Sequence, residues 1–296
     1  MRVFVTGATG FIGQALVPEL IDAGHLVLGL ARSDAGAAAL KAAGADVLRG
    51  DVEQLDVLKS GASQADATIH LAFNHDFSKF VQNCENDRRA IEAMGDALTG
   101  TRKLLLVTSG TGMGKAAAGR AATEDDDKVS SKEVPRAMSE EAADRVAQRG
   151  VRVGIVRLPQ VHDTHKAGLV SALIAIAREK GFVGYVGAGE NQWPAAHVSD
   201  VARLYRLALE KTDGSARYHA VAEEGVGVRE ISEVLGKGLR LPVRSIAPGE
   251  AQAHFGWLAH FAGWDLRASS AKTRAALAWE PAGPRMLEDL EKMEWV

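Results

Sequence analysis

Three glycines within the first thirteen residues constrain this chain more than any other feature. The run Thr6-Gly7-Ala8-Thr9-Gly10-Phe11-Ile12-Gly13 follows a short apolar stretch, residues 2–6. It opens a segment, 11–23, in which Ile12, Ala15, Leu16 and Leu20 recur at helical spacing. A short apolar run is how a strand buried on both faces reads, so strand, glycine turn and helix follow one another. Each glycine then has a task. Gly7 permits the tight turn, Gly10 lets the backbone approach a pyrophosphate, and Gly13 lets the helix pack close to the sheet. The helix start offers unpaired N–H groups and a positive dipole end to phosphates.

The alternation continues. Strand-like runs at 26–30, 47–48, 67–71, 104–107 and 151–156 are separated by helix-like segments at 35–43, 81–98 and 139–148. This order predicts an α/β Rossmann fold, a doubly wound parallel sheet with helices on both faces. After Arg157 the pattern changes. Helices are expected at 169–178 and 198–209, the second with Ser199 and Asp200 available as caps. All five tryptophans, Trp193, Trp257, Trp264, Trp279 and Trp295, fall in the second half, which suggests a smaller C-terminal lobe with its own core. The expected division is a dinucleotide-binding core, 1–160, to which 195–222 return, and a substrate lobe built from 161–194 and 223–296.

Bulk properties exclude several partners. The net charge is −3 with no long basic run, which argues against nucleic acid. The acidic run Glu124–Asp127 reads as a solvated loop. No run reaches the length of a membrane-spanning helix, and the first apolar stretch is too short for a signal peptide, so the expected compartment is the cytoplasm. Cys84 is the only cysteine, so no intrachain disulfide can form. His162 and His165 have no evident third ligand, and no metal is expected.

The ordered motifs resemble those of the extended short-chain dehydrogenase/reductases, the NAD(P)-dependent epimerase/dehydratase family. Thr6–Gly13 is similar to its phosphate loop, Gly50-Asp51-Val52 to its adenine-side motif, and Ile69-His70-Leu71-Ala72 to its segment after the fourth strand. Asn86, Val107-Thr108-Ser109, Val156-Arg157-Leu158-Pro159 and Ala196-His197-Val198-Ser199-Asp200-Val201 match further family segments. The resemblance implies cofactor contacts at Thr6, Gly7, Thr9, Gly10, Phe11, Ile12, Gly13, Asp51, Val52, Leu71, Ala72, Phe73, Thr108, Leu158 and Pro159. It also implies a small-molecule substrate and a possible homodimer.

The second strand decides the cofactor. An NAD-selective site places an acid at its end to hold the ribose 2′-OH. Here Arg32 and Ser33 stand there, and a guanidinium can fork onto a 2′-phosphate, so NADP (as NADPH) is expected over NAD.

The resemblance also sets up a departure. Family members use a Tyr followed four residues later by a Lys, but none of Tyr185, Tyr205 and Tyr218 is followed by Lys at that spacing. Alignment on Glu140 puts Arg136 in the Lys position and Lys132 in the Tyr position, with Pro135 marking the helix start. Ser109 keeps the family's Ser/Thr position, with Thr111 close by, and His162 or His165 is a candidate acid. His70 and His197 are weaker ones. Phe73, Thr111, Tyr185, Trp193 and His197 are the expected substrate contacts. Around them Lys166, Arg178 and Lys180 form no clear cluster for a second diphosphate, which favours a small carbonyl or activated alkene over a sugar nucleotide. The expected activity is an NADP-dependent oxidoreductase with Ser109, Arg136 and His162 in the chemistry. The alternatives are a non-catalytic NADP-binding regulator and an epimerase or isomerase that recycles its bound cofactor.

Overall fold

The first strand, β1 (Arg2–Thr6), is buried from Val3 onward, as its apolar run requires. In the computed structural model, which describes residues 1–117 and 119–295, the chain continues through α1 (Phe11–Asp22), β2 (Leu26–Ala31), α2 (Asp34–Ala42), β3 (Asp46–Arg49), α3 (Leu55–Gln64), β4 (Ala67–His70), α4 (Phe80–Leu98), β5 (Leu104–Gly110), α5 (Met138–Gln148) and β6 (Arg152–Leu158). It then passes through β7 (Gln160–His162), α6 (Val170–Lys180), β8 (Val183–Val186), β9 (Gln192–His197), α7 (Val198–Lys211), β10 (Ala216–His219), β11 (Glu223–Gly227), α8 (Val228–Leu239) and β12 (Val243–Ile246). Four short helices close it: α9 (Ala251–Phe255), α10 (Ala259–Ala262), α11 (Ala271–Leu277) and α12 (Met286–Lys292).

Seven parallel strands form the main sheet in the order β10-β6-β5-β4-β1-β2-β3. The strand order reverses between β1 and β4, which opens a crevice at the carboxyl ends of the strands, the usual ligand position in an open α/β sheet. The fold class is therefore the doubly wound Rossmann sheet with a smaller lobe.

One face of the sheet is covered by α1 and α7, where Leu16, Val17 and Leu20 meet Val201, Leu204, Tyr205 and Ala208 in one cluster. The other is covered by α3, α4 and α5 through Leu58, Ile91, Met94 and Val146. Each buried Leu, Val, Ile or Met among them contributes roughly 1.5–3 kcal/mol by leaving water. A separate cluster holds the lobe, around Leu173, Trp193, Ile231, Phe255, Leu258 and Leu290.

Several expectations change here. Strands β7 to β12 carry too few apolar residues in sequence to stand out. They pair only within small sheets, β11-β9-β7 and β12-β8, or at the edge of the main one. Trp279 leaves the lobe and packs into the main core, its Nε1 donating to the Asp200 carbonyl at 3.0 Å. The cap of α7 is His197, whose ring accepts from the Ser199 N–H at 3.2 Å. Asp200 instead accepts from the Ala282 and Gly283 N–H groups at 2.9 and 2.8 Å. The acidic run is a solvated loop only in part: Asp125 and Asp127 are exposed, but Glu124 is buried and accepts from the Thr273 N–H and hydroxyl at 2.8 and 2.6 Å. Among the described residues, no helix is long and apolar enough to cross a membrane and no group of three potential metal ligands occurs.

Candidate active site

The glycine turn is fixed by its own backbone. Gly7 has φ +68°, and a Cβ there would lie 2.7 Å from the Ala72 nitrogen in the segment after β4. A Cβ on Gly13 would lie 2.2 Å from the Gly7 oxygen, so the first turn of α1 rests directly on the loop. Gly10 is exposed and begins α1 with no side-chain cap and no acid in the first turn. Thr9, Gly10, Phe11, Ile12 and Gly13 thus present an open, positively polarised helix start, which fits a dinucleotide pyrophosphate. Thr6 plays a different part. It is fully buried, and its hydroxyl lies 2.6 Å from His70 Nδ1 and accepts from the Ala72 N–H. It therefore braces the loop from beneath.

At the end of β2, Arg32 extends into solvent, 3.9 Å from the Asp51 carboxylate. The Ser33 hydroxyl caps α2 by accepting from the Gly36 N–H at 3.1 Å. Arg49, which sequence reasoning passed over, donates to the Ser33 and Arg32 carbonyls and to Asp34. Asp34 is thereby turned onto Arg49, and the rim carries two guanidinium groups.

The centre of the crevice is organised by Asp87 on α4. Its buried carboxylate accepts from His70 Nε2 at 3.0 Å, from Arg136 Nη1 at 2.9 Å and from the Ser139 hydroxyl. Burial alone would raise the Asp87 pKa. The Arg136 charge and the bonds from His70 and Ser139 outweigh it and hold the carboxyl below its usual value. Arg136 also donates to the Thr108 carbonyl at 2.9 Å, and its guanidinium carbon lies 4.2 Å from the Phe73 ring centre. It sits in a short 3-10 turn, Pro135–Ala137, that leads into α5, as the proline predicts. A bonded chain thus runs Thr6–His70–Asp87–Arg136–Thr108 and ties the phosphate loop to the end of β5. Asn86, the neighbour that matched the family motif, faces outward and bonds Glu53. Asp87 escaped notice because an acid inside an amphipathic helix reads as surface.

The other candidates separate. Ser109 donates to Glu140 at 2.7 Å, and Glu140 pairs with Arg157, both side chains being wholly buried. The Ser109 hydroxyl and Arg157 therefore belong to a buried brace and are not presented to the crevice. The Tyr205 hydroxyl bonds Thr108 Oγ1 at 2.7 Å and that of Tyr218 bonds Thr212 at 3.0 Å. His162 is fully buried on β7, with Nδ1 2.8 Å from Asp289 of α12. His197 lies 3.8 Å from the same carboxylate, so both histidines serve the junction between lobe and core. Trp193 is fully buried in the lobe core and lines no cleft. Tyr185 lies on β8 with the Arg229 guanidinium over its ring. Thr111 starts a buried turn after β5, and Leu158 pairs in register with Gly110 before Pro159 leads into β7.

An aromatic series runs along the loop beyond β4. The loop between β4 and α4 carries Phe73, His75 and Phe77, with ring centres 5.2 Å and 6.2 Å apart along the series. Phe77 stacks on Trp257 of the lobe at 3.7 Å and 7°. Lys166, from the turn after β7, lies 5.5 Å from the Phe11 ring at the start of α1.

This arrangement, a glycine-cradled helix start facing a crevice where the strand order reverses, defines a dinucleotide-binding α/β protein. Residues 3–222 match the model of the NAD dependent epimerase/dehydratase family, and the chain belongs to that family. Uncharacterized proteins of Schizosaccharomyces pombe and Saccharomyces cerevisiae are each 44% identical to it, over 98% of either chain. Among solved structures, the dTDP-glucose 4,6-dehydratase DesIV of Streptomyces venezuelae, with NAD and TYD bound, superposes with a TM-score of 0.78. It does so at 20% identity, over 99% of this chain and 96% of that one. The likeness establishes the shared fold.

Proposed function

We propose that the protein is an NADP-dependent oxidoreductase that reduces a small, largely apolar carbonyl or activated alkene. The observation that carries this reading is the meeting of two features at one edge of the sheet. The open start of α1 faces the same crevice as the cation Arg136, which is seated on Phe73. The backbone at Gly7, Thr9, Gly10, Phe11, Ile12 and Gly13 would hold the pyrophosphate. Arg32 and Ser33, with Arg49 beside them, would hold a 2′-phosphate, and Asp51 and Val52 lie on the adenine side. Leu71, Ala72, Phe73, Thr108, Arg136, Leu158 and Pro159 would flank the other half. Bound there, a reduced nicotinamide supplies a hydride.

The chain's own residues do the rest. Arg136, fixed by Asp87 and Thr108, keeps a positive charge beside the crevice that stabilises charge developing on a substrate oxygen. A second reading, a non-catalytic NADP-binding regulator, is favoured by one observation. The hydroxyls of Ser109, Tyr205 and Tyr218 are all bonded elsewhere.

Calorimetry with NADPH and NADH tests the cofactor. Arg32→Ala should lose about 1.5–3 kcal/mol of NADPH affinity, roughly ten- to a hundred-fold, and leave NADH binding unchanged. Equal affinity for the two cofactors in the native protein would refute the assignment. Net consumption of NADPH with a carbonyl and enone panel separates the reductase from the regulator.

A further inference from the structure

We propose that His75 is the proton donor of this crevice, supplying the proton that completes reduction at the substrate oxygen; the proposal rests on the reductase reading above. Adding a hydride to a carbonyl carbon leaves an oxygen that must take a proton, and the chain has to provide it. The usual hydroxyl sources are committed. Ser109 is bonded to Glu140, and Tyr205 and Tyr218 to threonines within the core. Burial pushes the Tyr205 pKa far above its ordinary value. His70 is enclosed between Thr6 and Asp87, and His162 and His197 are held at Asp289.

His75 differs on each count. It lies three residues beyond Ala72, whose N–H bonds Thr6 at the phosphate loop. Its ring meets Phe73 edge-on at 5.2 Å, and Phe73 carries the Arg136 guanidinium at 4.2 Å. It is solvent-exposed, so a transferred proton can be replaced from water.

The charged groups around His75 come from three other elements. Arg136 lies before α5, Lys166 after β7 and Asp87 on α4, while Asp76 and Lys79 share its loop. Partial loss of hydration against the surrounding protein first, then the charges of Arg136 and Lys166, lower its pKa, while a hydrogen bond with the Phe73 backbone and the Asp87 charge oppose them. Phosphates at the start of α1 would lie beside Lys166, offset its charge and favour the protonated ring. Cofactor binding would thus load the donor. In the step proposed, the imidazolium N–H bond breaks, an O–H bond forms on the substrate, and the nitrogen keeps the electron pair. The neutral ring then regains a proton from solvent, and the hydride is the one a reduced nicotinamide supplies.

The test combines an NMR titration of the His75 ring in the full chain, with and without NADPH, and turnover of His75→Gln with benzaldehyde and 2-cyclohexenone. The expected result is an upward shift of the His75 pKa on NADPH binding. His75→Gln should show a kcat lowered about 100-fold or more, with NADPH affinity held within about twofold. The alkaline limb of the native kcat profile should disappear in the variant. If NADPH binds and is consumed but the His75 titration does not move, or the variant turns over like the native protein, the proton donor is another group and the reductase reading stands. If NADPH does not bind, or the native protein consumes none with either substrate, the reductase reading falls and takes this proposal with it. The titration uses the native chain, so it decides the matter even if the variant is unstable.

Discussion

Asp87→Asn tests whether the bonded chain across the crevice holds both the fold and the site. Asp87 and Arg136 have only 4% and 15% of their side chains exposed, so their attraction is weakly screened. Asparagine keeps one accepting oxygen but places its NH₂ donors against His70 Nε2 or Arg136 Nη1, both of which donate to Asp87 now. Breaking a buried pair in this way costs about 3–5 kcal/mol. With an unfolding entropy of roughly 2.1 cal/mol/K per residue, each kcal/mol shifts the midpoint by about 1.6 °C, and the thermal midpoint should fall by roughly 5–8 °C. Glu85→Gln is the control on the same helix. It meets Arg88 at the surface and should cost no more than about 1 kcal/mol. Urea unfolding of both variants gives the comparison, and calorimetry with NADPH reports whether Arg136 has left Thr108. A loss for Asp87→Asn no larger than for Glu85→Gln would refute the reasoning.

Gly13→Ala would force a methyl group to 2.2 Å from the Gly7 oxygen and 2.6 Å from the Ala8 carbonyl carbon. Both are backbone, so NADPH affinity should drop by more than about tenfold, which calorimetry would show. Stability should decline in two stages on acidification. Burial first of all holds the His162 and His219 pKa values below 6.5, so the stability tied to their neutral forms is complete above 6.5 and lessens as pH falls below it. Asp87 and Glu140 have pKa values held below the ordinary carboxylate range, so their contribution is complete above that range and is lost only at more acid pH. A urea midpoint that stays level from pH 7 down to the carboxylate range would contradict the first stage. Cys84 is buried, and burial pushes its thiol pKa to about 11, so a thiol reagent should label it slowly in the native protein and rapidly in urea.

The phosphate loop and the first six strands were legible because their signals are local. Glycines of fixed spacing and apolar runs two to six residues long need no distant partner to be recognised. The cation at Arg136 was also legible, since Pro135 marks the turn that carries it. What sequence could not supply were the partners. Asp87 meets Arg136 across 49 residues and His162 meets Asp289 across 127, so their roles depend on how the chain returns on itself. Ser109 shows the reverse case. It lies at the end of β5 as expected, but the side-chain alternation of a strand directs its hydroxyl toward Glu140. His75 lacked any signal of its own, because an exposed loop histidine has none until the aromatic rings around it are placed.

The return of the C-terminal tail to the main core has a consequence for engineering. The polypeptide passes between core and lobe at the Pro159 link, at the junction of β9 and α7, between β10 and β11, and again around α11 and Trp279. A lobe threaded through so many crossings cannot be exchanged as a cassette. A chimera that replaces residues 161–194 alone would cut β9 (Gln192–His197) before Ala195 and set Val226, the partner of Trp193, against a foreign strand residue. Recombination between homologues should therefore succeed only when junctions are matched at every crossing. Limited proteolysis should nick the native protein without releasing either part.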